Sequence, residues 1–407
     1  MRLLVARIVG FGSLPLLASL APLLLLGIVT RSCTVQEWAA LGIGQAVGSF
    51  ATAATLFGWQ VVGPPAIALA ADDAQRRQVY LTSWWVRIVV FATVTPPAAA
   101  VAAAVTMPLA TPAATVLAAV MCVAASLSGM SMTWYAIGLG RARMITVFEV
   151  IPRLCALAVG AGLVWATAEA LWYPCAAIVG VAVTQTMFHR RVFGWFAPPW
   201  PGRAAVWAAG RRSAPGAGVT MIAGVRSAAP TALAPSIGTA AAVADLSSAD
   251  RLYRYALFSA SALGDALQNW VLESGRRRRQ AAALALHLTL GTVGAVGLVL
   301  LGPWASGVLF GERLAGSRET FIGFALAFFF VCVGTPLVRN VLVPLGRTRR
   351  VVVCDLVGLA CGAIVGAPLV AGLQVPGIPM ALAVVEGVAV LGYAISVVAA
   401  RRSVSSD

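Results

Sequence analysis

Residues 216–238 read GAGVTMIAGVRSAAPTALAPSIG. The stretch is long enough to cross a bilayer, whose hydrocarbon core takes about 20 apolar residues of helix. Arg226 stands near its middle. A charge at that depth costs roughly 2.5–3.5 kcal/mol on insertion scales, so one that is retained usually faces a polar cavity or a partner. Pro230 and Pro235 follow. Proline frees a backbone carbonyl and bends a helix, which membranes tolerate where neighbouring helices or water satisfy the freed group. The stretch therefore reads as a bent helix walling a pathway for something anionic. The plainer alternative is an arginine that snorkels or pairs with a carboxylate inside a bundle.

The rest of the chain has the same character. Its 407 residues are 60 % hydrophobic and 11 % charged, with a mean hydropathy of +0.89. A soluble domain carries about 25 % charged residues, so this is an integral membrane protein. The net charge is +15, and every lysine-or-arginine position is arginine. A biased nucleotide composition accounts for that. The basic residues lie in short loops between apolar spans, which argues for cytoplasmic anchoring and against nucleic acid. The seven cysteines fall mostly within apolar spans and form no CxxC pair. They read as small buried hydrophobes, with no disulfide framework, metal site or cofactor implied.

Apolar spans are expected at 9–30, 40–63, 82–106, 111–138, 145–165 and 171–188, then at 216–238, 253–272, 282–301, 321–345, 351–373 and 378–400. The first is longer than a signal-peptide core and reads as a retained helix. Arginines cluster at alternate ends of these spans, which puts both termini on the cytoplasmic side of the cell membrane. The expected fold is an all-α integral membrane protein of about 12 transmembrane helices, in two six-helix bundles around a central cavity. The first bundle covers residues 1–189 and the second 216–407. Between them lies a cytoplasmic linker, 190–215, rich in proline, tryptophan and arginine.

Several short motifs resemble the multidrug/oligosaccharidyl-lipid/polysaccharide exporter (MOP) superfamily. One is ARIVGFG at 6–12. Another is WYAIGLGRAR at 134–143, followed by Pro152-Arg153-Leu154. A third is ADRLY at 249–253. They are most similar to polysaccharide (Wzx-type) flippases, relatives of lipid II flippases. The resemblance implies translocation of an undecaprenyl-pyrophosphate-linked oligosaccharide across the cytoplasmic membrane by alternating access. It also implies a polyprenyl-pyrophosphate glycolipid as substrate and a polysaccharide polymerase and glycosyltransferases as partners. In the lipid II branch a pyrophosphate-holding arginine sits in the ADRL turn, which corresponds to Arg251. A second such position corresponds to Ser13, a departure that points away from lipid II itself.

Guanidinium forks bind phosphate oxygens through paired, charge-assisted hydrogen bonds. Arg226 and Arg251 are the leading candidates for pyrophosphate, with Arg251 alternatively an outer charge paired to Asp250. Arg87 is expected to line the inner vestibule. Arg153 is a further candidate, although Glu149 four residues earlier makes an intrahelical pair the simpler reading. No GxxxxGK[ST] loop is present, so ATP is not the expected energy source. Asp265 and Glu386 are the candidates for proton or sodium coupling. Alternatively, Asp265 neutralises Arg226. The chain does not read as an enzyme, because no long loop carries catalytic acids or a histidine dyad. The main rival is a cation-coupled drug exporter of the same superfamily, against which the arginine-leaning interior argues.

Overall fold

A computed structural model describes residues 23, 25–194, 196–236, 238–272 and 277–404. The expected first span lies mostly outside these residues, as do the 6–12 motif, Arg7 and Ser13. Among the described residues every regular element is a helix. Eight helices are long and apolar enough to cross a membrane: Val35–Ala68, Asp73–Thr106, Pro112–Gly138, Arg143–Thr167, Arg278–Phe310, Arg318–Leu342, Thr348–Leu373 and Gly377–Ala399. These coincide with eight of the expected spans. Three further long helices, Trp172–Phe188, Arg203–Leu233 and Ala240–Leu272, are shorter or carry more charge.

Capping side chains set many of the starts. Helix α1 (Val35–Leu56) opens on a capping box. The backbone N–H of Thr34 donates to Glu37 Oε2 (2.8 Å), and that of Glu37 donates to Thr34 Oγ1 (3.2 Å). Two left-handed residues, Phe57 and Gly58, then turn the chain into α2 (Trp59–Ala68). Helix α3 (Asp73–Thr106) is capped by Asp72, and α4 (Pro112–Leu127) by Thr111 with proline in its first turn. A tight turn leads to the short α5 (Thr133–Gly138) and α6 (Ala142–Ile145), and a wider π-helical turn, Thr146–Val150, joins α7 (Ile151–Thr167). Helix α8 (Trp172–Phe188) ends in a second wide turn, His189–Phe193, before α9 (Arg203–Leu233).

The remaining helices are α10 (Ala240–Leu272), α11 (Arg277–Phe310), α12 (Arg318–Leu337), α13 (Thr348–Leu373) and α14 (Gly377–Val404). A third wide turn, Val338–Leu342, follows α12. Many side chains of α11 and α13 are apolar and exposed, among them Val293, Leu300 and Ile364. With lipid as the solvent such faces need no protein cover.

The described helices form two compact units, Leu25–Ser236 and the described part of Ile237–Asp407. This division differs from the expected one. The sequence placed a linker at 190–215 and assigned the Arg226 helix to the second bundle. In the structure residues 203–215 are the first turns of α9, and α9 packs on α1 and α3 inside the first unit. Small residues four apart make this contact. A Cβ on Gly224 would stand 2.5 Å from Ala53 Cβ, and Thr220 Oγ1 lies 3.4 Å from the Ala53 carbonyl. The prolines and arginines of 190–215 therefore run into the start of a long helix.

The same small-xxx-small packing holds each unit together. In the first, Gly44 and Gly48 of α1 lie against α4, where an added Cβ would come within 2.3 Å of the Ala118 carbonyl oxygen. In the second, Gly358, Gly362 and Gly366 of α13 face Val385 and Ala381 of α14.

Candidate functional site

Among the described residues each unit contains a polar centre that involves residues singled out from the sequence. In the first unit it is built where helix is interrupted between α4 and α5. A helix end leaves backbone carbonyls without partners, and a membrane interior offers no water to take them. Arg87, on α3, fills this need. It is completely buried. Its Nη1 donates to the carbonyls of Ser131 (2.7 Å) and Gly129 (3.3 Å), its Nε to that of Ser83 (3.4 Å). The guanidinium sits 5.8 Å from the Trp134 ring centre.

Two more side chains converge on the same interruption. Glu149 Oε2 accepts hydrogen bonds from Ser131 Oγ (2.9 Å) and Thr133 Oγ1 (2.6 Å). Gln185 Nε2 donates to the Met130 carbonyl (2.6 Å). Four helices are thereby tied at one point. Arg87 was expected to line an inner vestibule; in the structure its side chain is buried. Its surface is covered, Nη1 and Nε donate to backbone carbonyl oxygens, and Nη2 is buried without a hydrogen-bond partner among the described residues. Among the described residues nothing leaves that guanidinium open to a cargo.

The expected Glu149–Arg153 pair is also absent. Glu149 lies in the wide turn Thr146–Val150, where about one extra residue per turn rotates the following positions off its face. Arg153 is exposed and makes no ion pair or hydrogen bond among the described residues.

An aromatic layer packs beside this centre. Tyr80, wholly buried, shares a hydrogen bond with His189 Nε2 (2.8 Å) and packs among Trp134, Tyr135, Phe188 and Phe193. His189 lies just past the end of α8. Burial, seconded by the charge of Arg87, lowers its pKa to about 4, so it is neutral at physiological pH.

In the second unit the polar centre is Asp265 of α10 with Arg339. These two form an ion pair. Arg339 lies in the wide turn Val338–Leu342, just after Pro336. Gly264, beside Asp265, leaves it room: a Cβ there would lie 3.2 Å from Arg339 Nη1. The Asp265 side chain is 68 % exposed, although it stands within a helix read as membrane-spanning. A carboxylate so placed is accessible to a small cation. Its observed partner is Arg339, not Arg226.

Arg226 is half-buried in α9 of the first unit, and Arg251 is half-buried in α10 of the second. Arg254 is the basic partner observed on Asp250 (2.6 Å), four residues along the same helix. Glu386 is buried in α14.

Sequence reading missed two groups. Gln185 looked like one polar residue in an apolar span. Asp245, in the first turns of α10, accepts from the Ser317 N–H (2.6 Å), Ser317 Oγ (2.8 Å) and Thr320 Oγ1 (3.1 Å). Burial raises its carboxyl above the usual range, while these hydrogen bonds oppose the shift. The Ser317-x-x-Thr320 cap was the available signal. Among the described residues no three His, Cys, Asp or Glu side chains gather as a metal site.

No family model matches the sequence, and no curated protein does. Solved structures match over nearly the full length. An inward-facing multidrug-resistance MATE family transporter of the MOP superfamily aligns with a TM-score of 0.69 at 14 % identity, covering 95 % of each chain. A eukaryotic MATE transporter, AtDTX14, aligns at 0.57 and 12 %, covering 97 % of this chain and 95 % of its own. The MATE transporter ClbM, in complex with Rb+, aligns at 0.54 and 15 %, covering 97 % and 94 %. The structural neighbours are thus MATE family transporters of the MOP superfamily, and the chain has their helical membrane fold.

Proposed function

We propose that this chain is a membrane transporter that exports a small organic molecule by alternating access, driven by a proton or sodium gradient. The observation that carries the reading is the fold likeness to a multidrug-resistance MATE transporter over 95 % of both chains. The fate of Arg87 supports it: one of the four arginines put forward for pyrophosphate serves the backbone instead. The chain lies in the cytoplasmic membrane with both termini inside.

Asp265 is the coupling residue in this reading. An incoming cation competes with Arg339 for the exposed carboxylate, and release of Arg339 favours a different arrangement of the wide turn that carries it. A cation that binds one arrangement better shifts the population toward it. Glu386 is the second candidate, as a buried carboxylate in α14.

The test is drug susceptibility of an exporter-deficient host, with uptake into proteoliposomes under an imposed pH or sodium gradient. The wild-type chain is expected to raise resistance and to move an organic substrate only when the gradient is present. Asp265→Asn is expected to abolish gradient dependence with the protein still folded. Transport that ignores both gradients, or survives Asp265→Asn unchanged, would refute the coupling.

Flipping of a lipid-linked oligosaccharide is the second reading. It is supported by Arg226, half-buried in the last third of α9, and by Arg251, the arginine of the ADRLY motif. In that reading the two arginines hold the pyrophosphate of a polyprenyl glycolipid, supplied by glycosyltransferases and consumed by a polymerase. Loss of surface glycan on deletion, restored by the wild-type chain but not by Arg226→Ala, with drug susceptibility unchanged, would favour it over export.

A further inference from the structure

A cavity of about 530 Å³ opens on the arginine-rich end of the first unit, and Arg87, Glu149 and Gln185 take no part in its lining. Three separate segments form it. Helix α3 contributes Asp73, Arg76 and Arg77 from its first turns. The turn between α5 and α6 contributes Arg141, and the wide turn after α8 contributes Arg191. Tyr135 and Phe193 line its apolar side. The size is within the range of about 300–1,000 Å³ seen for small-ligand sites.

The charge balance is unusual. Asp73 is the sole carboxylate in the lining and is bonded to Arg76 (2.9 Å). Arg76 Nε is buried without a hydrogen-bond partner among the described residues. Arg77 lies over the Phe193 ring, 5.9 Å from its centre. Arg77, Arg141 and Arg191 make no ion pair among the described residues. Arg141 is held in place by its turn: Gly140 has a positive φ of 66°, and the Arg141 N–H donates to the Ala136 carbonyl (3.0 Å). Topology signalling needs arginines at this end of a span, but it does not need them to converge on one cavity. Like charges gathered there repel unless an anion joins them.

The depth of the cavity is marked by aromatic rings. Trp85, two turns along α3 from Arg77, donates from Nε1 to the Pro199 carbonyl (2.9 Å), and its ring meets that of Trp200 at 4.8 Å. Trp200 and Trp207 are largely exposed. Such rings sit at headgroup level in a bilayer.

We propose that this cleft is a phosphate-binding site. Arg141 and Arg191 grip the phosphate oxygens from opposite segments, and Arg77 adds the third positive charge. The phosphate belongs either to the headgroup of an anionic lipid of the inner leaflet or to a soluble phosphate ester or pyrophosphate. The inference does not rest on the transport reading.

The test uses the full chain in nanodiscs of phosphatidylcholine, with and without phosphatidylglycerol, and with pyrophosphate added to the pure phosphatidylcholine discs. Melting temperature is read, and phenylglyoxal labelling of individual arginines is followed by mass spectrometry. At least one of the two anions is expected to raise the melting temperature and to shield Arg141 and Arg191 from labelling. A response to phosphatidylglycerol alone assigns the site to a lipid headgroup, and a response to pyrophosphate assigns it to a soluble phosphate. Removal of two charged donors in Arg141→Gln/Arg191→Gln is expected to weaken the anion about tenfold or more. Arg349→Gln/Arg350→Gln, which removes equal charge from an exposed segment, is expected to leave the response intact. Absence of both responses, equal labelling of all exposed arginines, or equal losses in the two double variants would overturn the proposal. The labelling arm uses wild-type protein, so misfolding of a variant leaves the test standing.

Discussion

Replacing Arg87 with methionine tests the account of the first polar centre most directly. The side chain is fully buried and makes three hydrogen bonds to carbonyl oxygens. Hydrogen bonds from a charged donor contribute about 1.5–3 kcal/mol each, and the longest of these three contributes least. Methionine recovers part of the loss by filling the volume, but it leaves the Gly129 and Ser131 carbonyls unpaired and Glu149 without its nearby cation. A net loss of about 3–5 kcal/mol follows, as for removal of one member of a buried charged pair. For a unit of roughly 200 residues that lowers the melting temperature by roughly 6–20 °C. A thiol-reactive dye reports the transition, because Cys122 is buried on α4 just before the interruption. A double cycle with Glu149→Gln should show coupling of about 0.5–3 kcal/mol, since both residues hold Ser131. Melting within about 2 °C of wild type, or strict additivity with Glu149→Gln, would refute the reasoning. Normal stability with a selective loss of transport would restore the vestibule role instead.

Two further outcomes follow from the packing and the titration. Gly358→Ala, whose new Cβ would meet the Val385 carbonyl oxygen at 2.6 Å, should cost about 1–3 kcal/mol as overpacking, whereas Gly372→Ala, with nothing within 4 Å, should be neutral or slightly stabilising. Equal melting of the two variants would contradict the α13–α14 contact. His189 binds its proton more weakly in the folded chain, at about 4 against an ordinary 6.5. Its contribution is therefore fully present above about pH 6.5 and is lost as pH falls toward about 4, by roughly 3 kcal/mol at most. His189→Gln should flatten that part of the stability–pH curve, and an unchanged slope would show that another group titrates there.

Membrane class was readable from composition, because only 11 % of a long chain is charged and 60 % is hydrophobic. Eight of the expected spans recur as membrane-length helices for the same reason. The boundaries of the two units were not readable. Proline, tryptophan and arginine favour the headgroup level, and a chain of that composition looks the same whether or not a domain ends there. The glycine spacing of α9 carried the opposite message, but small residues at intervals of four fit any close neighbour, and the sequence does not say which.

The candidate residues divide along a similar line. Asp265 is singled out by its type and depth, yet its partner Arg339 is 74 positions away, and a wide helical turn aims it. Glu149 and Arg153 have the spacing of an ion pair, and one extra residue in a turn undoes it. Residue type and helical depth by themselves determined that this chain is an arginine-charged, all-helical membrane protein with a few embedded ionisable groups. Which of those groups meet was decided only by the tertiary structure. Pairing depends on the rotation of each helix about its axis, and breaks and wide turns set that rotation at energies too small for local sequence to declare.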